Sequence, residues 1–183
     1  MADKTNGILI EDGIVVTLND INDIYENGFV FIKENRIVDF GDNKNIKPEY
    51  RTGTVISAKN KTILPGMINS HMHLYSTFAR GMSLKGEPAE NFPQILERLW
   101  WKLDKELNEE DIYYSAIIPL IDCIKNGTTT IIDHHASAYH IKNSLSIIYK
   151  ALKKSNIRAA LCYEVSDRDG DKIANEGIKE NIK

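Results

Sequence analysis

The sequence is poor in cysteine and contains no long apolar run. Its 183 residues include two cysteines, Cys123 and Cys162, too few for a disulfide framework or a thiolate zinc site. We expect both thiols to be buried and reduced. No apolar run approaches the ~18–20 residues that cross a bilayer, and residues 1–7 lack the apolar core of a signal peptide. These absences predict a cytoplasmic protein with no membrane partner.

The sequence also lacks an excess of charge of either sign. It has 23 Lys and Arg against 26 Asp and Glu, a net charge of −3, and both signs are spread along the chain. This balance argues against electrostatic capture of nucleic acid or of an anionic membrane. The length suits one ordinary domain, or one small and one partial domain.

Several enzyme signatures are missing as well. The chain has no Gly-x-Gly-x-x-Gly, no Gly-Lys-Ser/Thr phosphate loop and no His-Glu-x-x-His. It has neither the Pro-Cys-x-x-Cys of cytidine-type deaminases nor a Gly-x-Ser-x-Gly nucleophile elbow. Any catalytic chemistry must therefore come from other side chains.

Before Pro65 the pattern is one of short strands separated by turn residues. Three hairpin-like pairs are predicted: residues 7–10 with 14–18, residues 28–33 with 36–40, and residues 54–57 with 62–64. Residues 1–62 are therefore expected to form a small antiparallel β unit. Such a unit is too small to bury much core alone.

After Pro65 strands and helices alternate. Strands are predicted at 66–70, 128–133 and 158–165, and helices at 92–107, 144–154 and from 174 onward. Asn108 is the expected N-cap of a further helix that ends at Gly127. Its predicted apolar face consists of Ile112, Ala116, Leu120 and Ile124. Pro119 is expected to kink this helix or to shift its boundary. This β-α-β-α-β order implies parallel strands with helical crossovers. A doubly wound sheet and an unfinished (β/α)8 barrel both remain open.

Two histidines end the first of these strands. In parallel α/β folds functional groups gather at the carboxyl ends of strands, and alternation places His71 and His73 on one face, about 6–7 Å apart along the strand. Two imidazoles there are a candidate pair of metal ligands, although two surface histidines or one packed histidine would show the same spacing. A catalytic zinc takes three protein ligands and water, so the pair is a partial site.

Further polar and aromatic residues follow the other strands. Adjacent His134 and His135 point to opposite faces, so one of them, assigned as His134, is expected to face the substrate; a loop histidine bonded to a carbonyl is the alternative. Tyr163 and Glu164 end the third strand. Of the adjacent Trp100 and Trp101 at least one is expected in the core, and His140 at the surface.

Four segments resemble the amidohydrolase superfamily. They are Ile-Leu-Pro-Gly-Met-Ile-Asn-Ser-His-Met-His at 63–73, Ser-Thr-Phe-Ala-Arg-Gly at 76–81, Leu-Trp-Trp-Lys-Leu-Asp at 99–104 and Ile-Asp-His-His-Ala-Ser at 132–137. The second is similar to the branch of chlorohydrolases and adenosine-derivative deaminases. The last two, with Asp-Arg-Asp-Gly at 167–170, are most similar to its SsnA-type aminohydrolases.

The resemblance implies a (β/α)8 TIM barrel joined to a small β-sandwich. Residues 1–62 would be the amino-terminal share of the sandwich, and residues 63–183 the first three βα units of a truncated barrel. The family metal is held by the first-strand His-x-His, a His from each of strands 5 and 6, and an Asp from strand 8, with a Glu as proton shuttle. Only His71 and His73 carry over, so no catalytic residue is expected within this chain.

The implied activity is hydrolysis of a C–N bond in a small cyclic nitrogen compound by metal-activated water, with zinc or iron as the metal. Asp104 and Tyr163 match positions where related deaminases contact substrate, and Trp100 and His134 complete the expected substrate-binding set. We expect the 183 residues alone to show little or no catalysis. The sequence does not decide whether the protein forms a homo-oligomer. The alternative function is that of a non-catalytic α/β binding module with a structural His-x-His.

Overall fold

The computed structural model of the protein describes residues 7–82 and 86–182. The chain divides into two compact units, Met1–Pro65 and Gly66–Lys183. Residues 1–6, which carry most of the segment searched for a signal peptide, lie outside the described residues. So does residue 183, the last position of the predicted last helix. In the described ranges every helix is too short or too polar to span a bilayer.

The first unit is a five-stranded sheet with two 3-10 turns. Its elements are β1 (Ile8–Val16), β2 (Ile24–Lys33), β3 (Arg36–Asp42), the turns Asn43–Asn45 and Pro48–Thr52, β4 (Thr54–Ser57) and β5 (Thr62–Ile63). The strand order is β3-β2-β1-β4, and β5 also pairs with β1. The predicted hairpin across residues 34–35 is confirmed, since β2 and β3 pair antiparallel from Lys33 and Arg36 outward.

Two other predicted hairpins are wrong. Residues 8–16 form one strand rather than two, and the pairing of β1 with β2 shifts register between Ile10 and Gly13, where Asp12 has φ 66°. Turn-forming residues thus produce a bulge instead of a reversal. Strands β4 and β5 do not pair with each other; each lies parallel to β1, with Ile8 opposite Thr54 and Ile14 opposite Thr62. The sheet is therefore mixed.

A small aromatic core holds this sheet together. Leu9, Phe29, Phe31 and Tyr50 are buried in one cluster. The Tyr50 ring stacks on Phe31 with centroids 3.9 Å apart, and its hydroxyl donates a 2.6 Å hydrogen bond to Asp39. That bond is the main reason why the pKa of Asp39 lies below its ordinary value.

Replacing Tyr50 with phenylalanine keeps the stack and removes the hydroxyl. Because Asp39 then loses its donor, we expect the free energy of unfolding to fall by about 1 kcal/mol. Urea denaturation followed by circular dichroism measures this, with Tyr25→Phe as the matched control. Equal stability of the two variants would show that the hydroxyl contributes nothing.

The second unit is an α/β unit, as predicted. Its elements are β6 (Met67–Met72), a 3-10 helix (Leu74–Ala79), α1 (Phe92–Ile95), a π-helical segment (Leu96–Trp100), α2 (Trp101–Glu106), α3 (Glu109–Lys125), β7 (Thr128–His135), α4 (Ser144–Ser155), β8 (Arg158–Tyr163) and α5 (Asp171–Asn181). The order β6-β7-β8 is parallel throughout. The three carboxyl ends therefore share one edge, where the candidate site lies.

Helix α3 begins where the sequence predicts. The Asn108 side chain accepts from the backbone of Asp111, whose side chain accepts from the backbone of Asn108. Ile112, Ala116 and Leu120 are fully buried, but Ile124 is 55 % exposed and Cys123 takes its place in the core. The predicted face fails there because four-residue spacing drifts by about 40° at each step of a 3.6-residue helix.

Pro119 lies inside α3 without ending it, so of the two predicted effects the boundary shift does not occur, and the kink stays a prediction. Proline has no N–H, which leaves the carbonyl of Ser115, four residues earlier, without its helical donor. The Thr77 hydroxyl lies 3.1 Å from that oxygen and 2.9 Å from the Leu74 carbonyl oxygen, so the two acceptors share its one proton. A side chain from the 3-10 helix after β6 thus compensates in part for the missing helical hydrogen bond.

The two cysteines differ in their exposure to solvent. Cys123 is buried as expected, whereas Cys162 is exposed, so that prediction is wrong. Cys162 alternates along β8 with Leu161 and Tyr163, which face the packed side of the sheet. Its thiol therefore lies on the opposite face.

Candidate metal and substrate site

His71 and His73 come together at the carboxyl end of β6. Their Nε2 atoms are 3.0 Å apart and their ring centroids 5.0 Å apart. The other nitrogen of His73, Nδ1, lies 2.9 Å from the backbone oxygen of His134. A carbonyl only accepts, so Nδ1 carries the proton and the lone pair of Nε2 points toward His71.

This arrangement fits a shared cation. Two imidazole nitrogens on one tetrahedral zinc at ~2.0–2.1 Å lie about 3.3 Å apart. Metal-bound histidines typically donate a hydrogen bond from the ring nitrogen that does not bind the metal, and this bond fixes the tautomer. His73 Nδ1 makes such a bond. Within residues 7–82 and 86–182 no group of three or more His, Cys, Asp or Glu is placed to hold a metal. His71 and His73 therefore stay a pair of candidate ligands among the described residues.

Asp133, near the end of β7, anchors the chain next to His73. The side chain is fully buried, and its Oδ1 accepts a 2.7 Å hydrogen bond from the Leu74 N–H. Burial raises the pKa of Asp133 to about 6, while the Leu74 donor opposes this shift. The anchoring role of Asp133 was not predicted from the sequence. The available signal was an acidic residue in an apolar strand, since a buried carboxylate requires a partner.

The two adjacent histidines of β7 face opposite ways, as alternation predicts. The His134 ring lies 5.2 Å from that of His73 and faces the cavity described below. His135 is fully buried; its Nε2 donates to the Ser137 hydroxyl at 3.0 Å, and that hydroxyl donates to the His140 carbonyl. Burial lowers the pKa of His135 to about 3, so its ring is neutral.

A cavity of about 410 Å³ opens beside the two candidate ligands. It brings together five of the six residues assigned from sequence: His71, His73, Trp100, Asp104 and His134. Tyr163 is the exception. It is buried, and its hydroxyl accepts from the Ser137 N–H at 3.1 Å. Because Tyr163 alternates with Glu164, Glu164 takes the position at the cavity wall.

The cavity wall also carries an ionic cluster centred on Arg168. Its guanidinium pairs with Asp104, with Glu164 at 2.8 Å and with Asp169 at 3.3 Å. Burial raises the pKa of Asp104 to about 6, and the positive charge of Arg168 opposes that shift. The sequence gives no local sign of the ion pair between Arg168 and Asp104, because these residues lie 64 positions apart.

Comparison with known proteins decides the family. The model of the amidohydrolase family matches residues 62–183, two thirds of the chain. The chain belongs to the amidohydrolase family. The resemblance seen in the sequence is therefore confirmed.

Curated relatives extend the match over nearly the whole chain. The amidohydrolase described here is 33% identical over 177 residues to a 5'-deoxyadenosine deaminase of Methanobrevibacter smithii, covering 97% of this chain and 37% of that protein. It is 30% identical to a 5-methylthioadenosine/S-adenosylhomocysteine deaminase of Halothermothrix orenii, covering 94% and 38%. The chain thus spans little more than a third of the length of these relatives.

Solved structures show the same fold. A mutant of atrazine chlorohydrolase TrzN from Arthrobacter aurescens TC1, complexed with zinc and atraton, superposes with TM-score 0.72 at 24% identity, covering 85% of this chain and 35% of that one. Guanine deaminase from C. acetobutylicum with bound guanine has TM-score 0.72 at 19% identity, covering 96% and 42%. At these identities the comparison establishes the fold alone.

Proposed function

We propose that this chain is the amino-terminal part of a metal-dependent aminohydrolase that removes an amino group from a small nitrogen heterocycle. The observation that carries the proposal is the pair of facing imidazole nitrogens, 3.0 Å apart, at the edge of a cavity. Relatives named as deaminases of adenosine derivatives, and a solved guanine deaminase, support this substrate class. Family membership favours this over a non-catalytic module with a structural His-x-His.

The proposal also concerns the fold. Residues 63–183 form the first three βα units of a (β/α)8 barrel, and residues 1–62 the amino-terminal share of a composite β-sandwich. The parallel order β6-β7-β8 and the position of the histidines at the carboxyl strand ends support the barrel. Cytoplasmic location and homo-oligomer formation stay predictions.

His71 and His73 would hold the cation, which would be zinc or iron; the zinc in the chlorohydrolase TrzN favours zinc. A cation held there would supply activation of water for the hydrolysis. His73 is held in the ligand tautomer by the His134 carbonyl. Because both imidazoles would give their lone pairs to the cation, neither would serve as general base.

The rest of the cavity receives the ring. Trp100 provides an aromatic surface, and its indole meets the Tyr75 ring edge-on at 6.1 Å. Asp104 provides a carboxylate that accepts hydrogen bonds from ring or amino N–H groups, and His134 provides a second polar contact. Tyr163 contacts no substrate; its hydroxyl holds the Ser137 backbone by accepting a hydrogen bond from the N–H.

Ammonia release from purified protein tests the proposal. We expect the protein carrying the complete metal centre to deaminate at least one of 5'-deoxyadenosine, 5-methylthioadenosine and guanine, to lose activity with a chelator and to regain it with Zn²⁺ or Fe²⁺. The 183 residues alone are expected to release none, because two imidazoles bind metal weakly. The proposal fails if no ring compound is deaminated after metal loading; rapid turnover by residues 1–183 would refute the need for further ligands.

A further inference from the structure

We propose that Arg168 is a positioning residue that holds the two carboxylates of the cavity wall, Asp104 and Glu164, in the arrangement that binds substrate. This inference rests on the proposed function. It concerns a residue that touches neither candidate metal ligand in the described contacts. The two carboxylates come from separate elements, α2 and the residue after β8, so their relative position depends on what joins them.

All three nitrogens of the Arg168 guanidinium are used. Nη2 bonds Asp104 Oδ2, Nη1 lies 2.8 Å from Glu164 Oε1, and Nε lies 3.3 Å from Asp169 Oδ2. The guanidinium carbon also lies 5.3 Å from the centre of the Trp101 ring. The side chain is 16 % exposed. This planar fork is therefore fixed from several sides.

Only arginine suits this position. A guanidinium presents donors in fixed directions and stacks on an aromatic face, whereas a lysine ammonium is a compact point charge on a flexible stem. Lysine at 168 would neutralise one carboxylate but leave the others without their donors. The geometry, and not the charge alone, joins the elements.

Asp104 depends on this partner. The residue is 1 % exposed, and its second oxygen, Oδ1, has no hydrogen-bond donor among the described residues. A buried carboxylate is costly without a counter-charge. Asp104 and Glu164 both line the cavity, so without Arg168 their carboxylates repel each other and lose the arrangement that this bridge gives them.

A matched control comes from the same cluster. Lys105 pairs with Asp169 at 2.6 Å and is 29 % exposed, but it is not part of the cavity lining. Lys105→Gln removes one positive charge from the cluster and leaves the bonds from Arg168 to Asp104 and Glu164 intact. It separates loss of charge from loss of the bridge.

The test compares Arg168→Gln, Arg168→Lys and Lys105→Gln in the protein with its complete metal centre. We expect Arg168→Gln to raise KM by about tenfold or more with kcat within about threefold, because the bridge acts on substrate binding and not on the metal. Metal content should stay unchanged, Arg168→Lys should not restore KM, and Lys105→Gln should match the unaltered protein.

The outcomes are distinguishable. If the unaltered protein deaminates no ring compound, the proposed function fails and this inference with it. If it is active and Arg168→Lys keeps its KM, the inference alone is overturned. Thermal unfolding of each variant is measured in parallel; should Arg168→Gln fail to fold, the KM of a folded Arg168→Lys decides, with a rise supporting the bridge and no change refuting it.

Discussion

In the protein with its complete metal centre, replacing His73 with alanine is expected to lower the affinity for Zn²⁺ more than about 100-fold and to abolish deamination. Residues that merely orient ligands change affinity by about 10–100-fold, so loss of a ligand should exceed that range. His73 is the better fixed of the pair, since its Nδ1 is bonded to the His134 carbonyl. Competition with a chromophoric chelator measures the affinity.

His140→Ala is the matched control for this variant. His140 is half-buried and lies outside the cavity lining, and its hydrogen bonds with Ser137 are made by its backbone. We expect it to bind Zn²⁺ as the unaltered protein does. Equal Zn²⁺ affinity in the His73 and His140 variants would remove His73 from the metal centre.

Replacing Asp133 with leucine is expected to have the second largest effect. The Leu74 N–H would be left buried without an acceptor, which costs about 1–3 kcal/mol of unfolding free energy. The segment after His73 would also lose its anchor to β7. Because this segment positions a ligand, we expect Zn²⁺ affinity to fall about tenfold. Urea denaturation and chelator competition measure the two effects.

Asp133→Asn separates the hydrogen bond from the charge. The asparagine oxygen can still accept from the Leu74 N–H, so most of the Zn²⁺ affinity should remain. Similar losses in the leucine and asparagine variants would mean that the charge matters and the anchoring bond does not.

The elements predicted correctly carry their signals locally. Asn108 and Asp111 are three residues apart and cap α3 by themselves. The turn at residues 34–35 joins two strands with suitable patterns. The pair of histidines follows from period-two alternation next to an apolar strand. Each of these features is decided within a few residues.

The features that were predicted wrongly, or not predicted, depend on partners that lie far away in the sequence. The residues around Asp12 form a bulge because a long partner strand, β2, pairs on both sides of them, and that partner is not visible in the local sequence. The positions of Tyr163 and Glu164 depend on where β8 ends. The anchors at Asp133 and Arg168 join residues 59 and 64 positions apart. Side-chain partners at such distances are set by the assembled fold.

Anomalous diffraction from crystals of the metal-loaded protein tests the central claim most directly. The account predicts one cation at ~2.0–2.2 Å from the Nε2 atoms of both His71 and His73, with His73 Nδ1 still bonded to the His134 carbonyl. A cation bound elsewhere, or one held by a single member of the pair, would contradict the account.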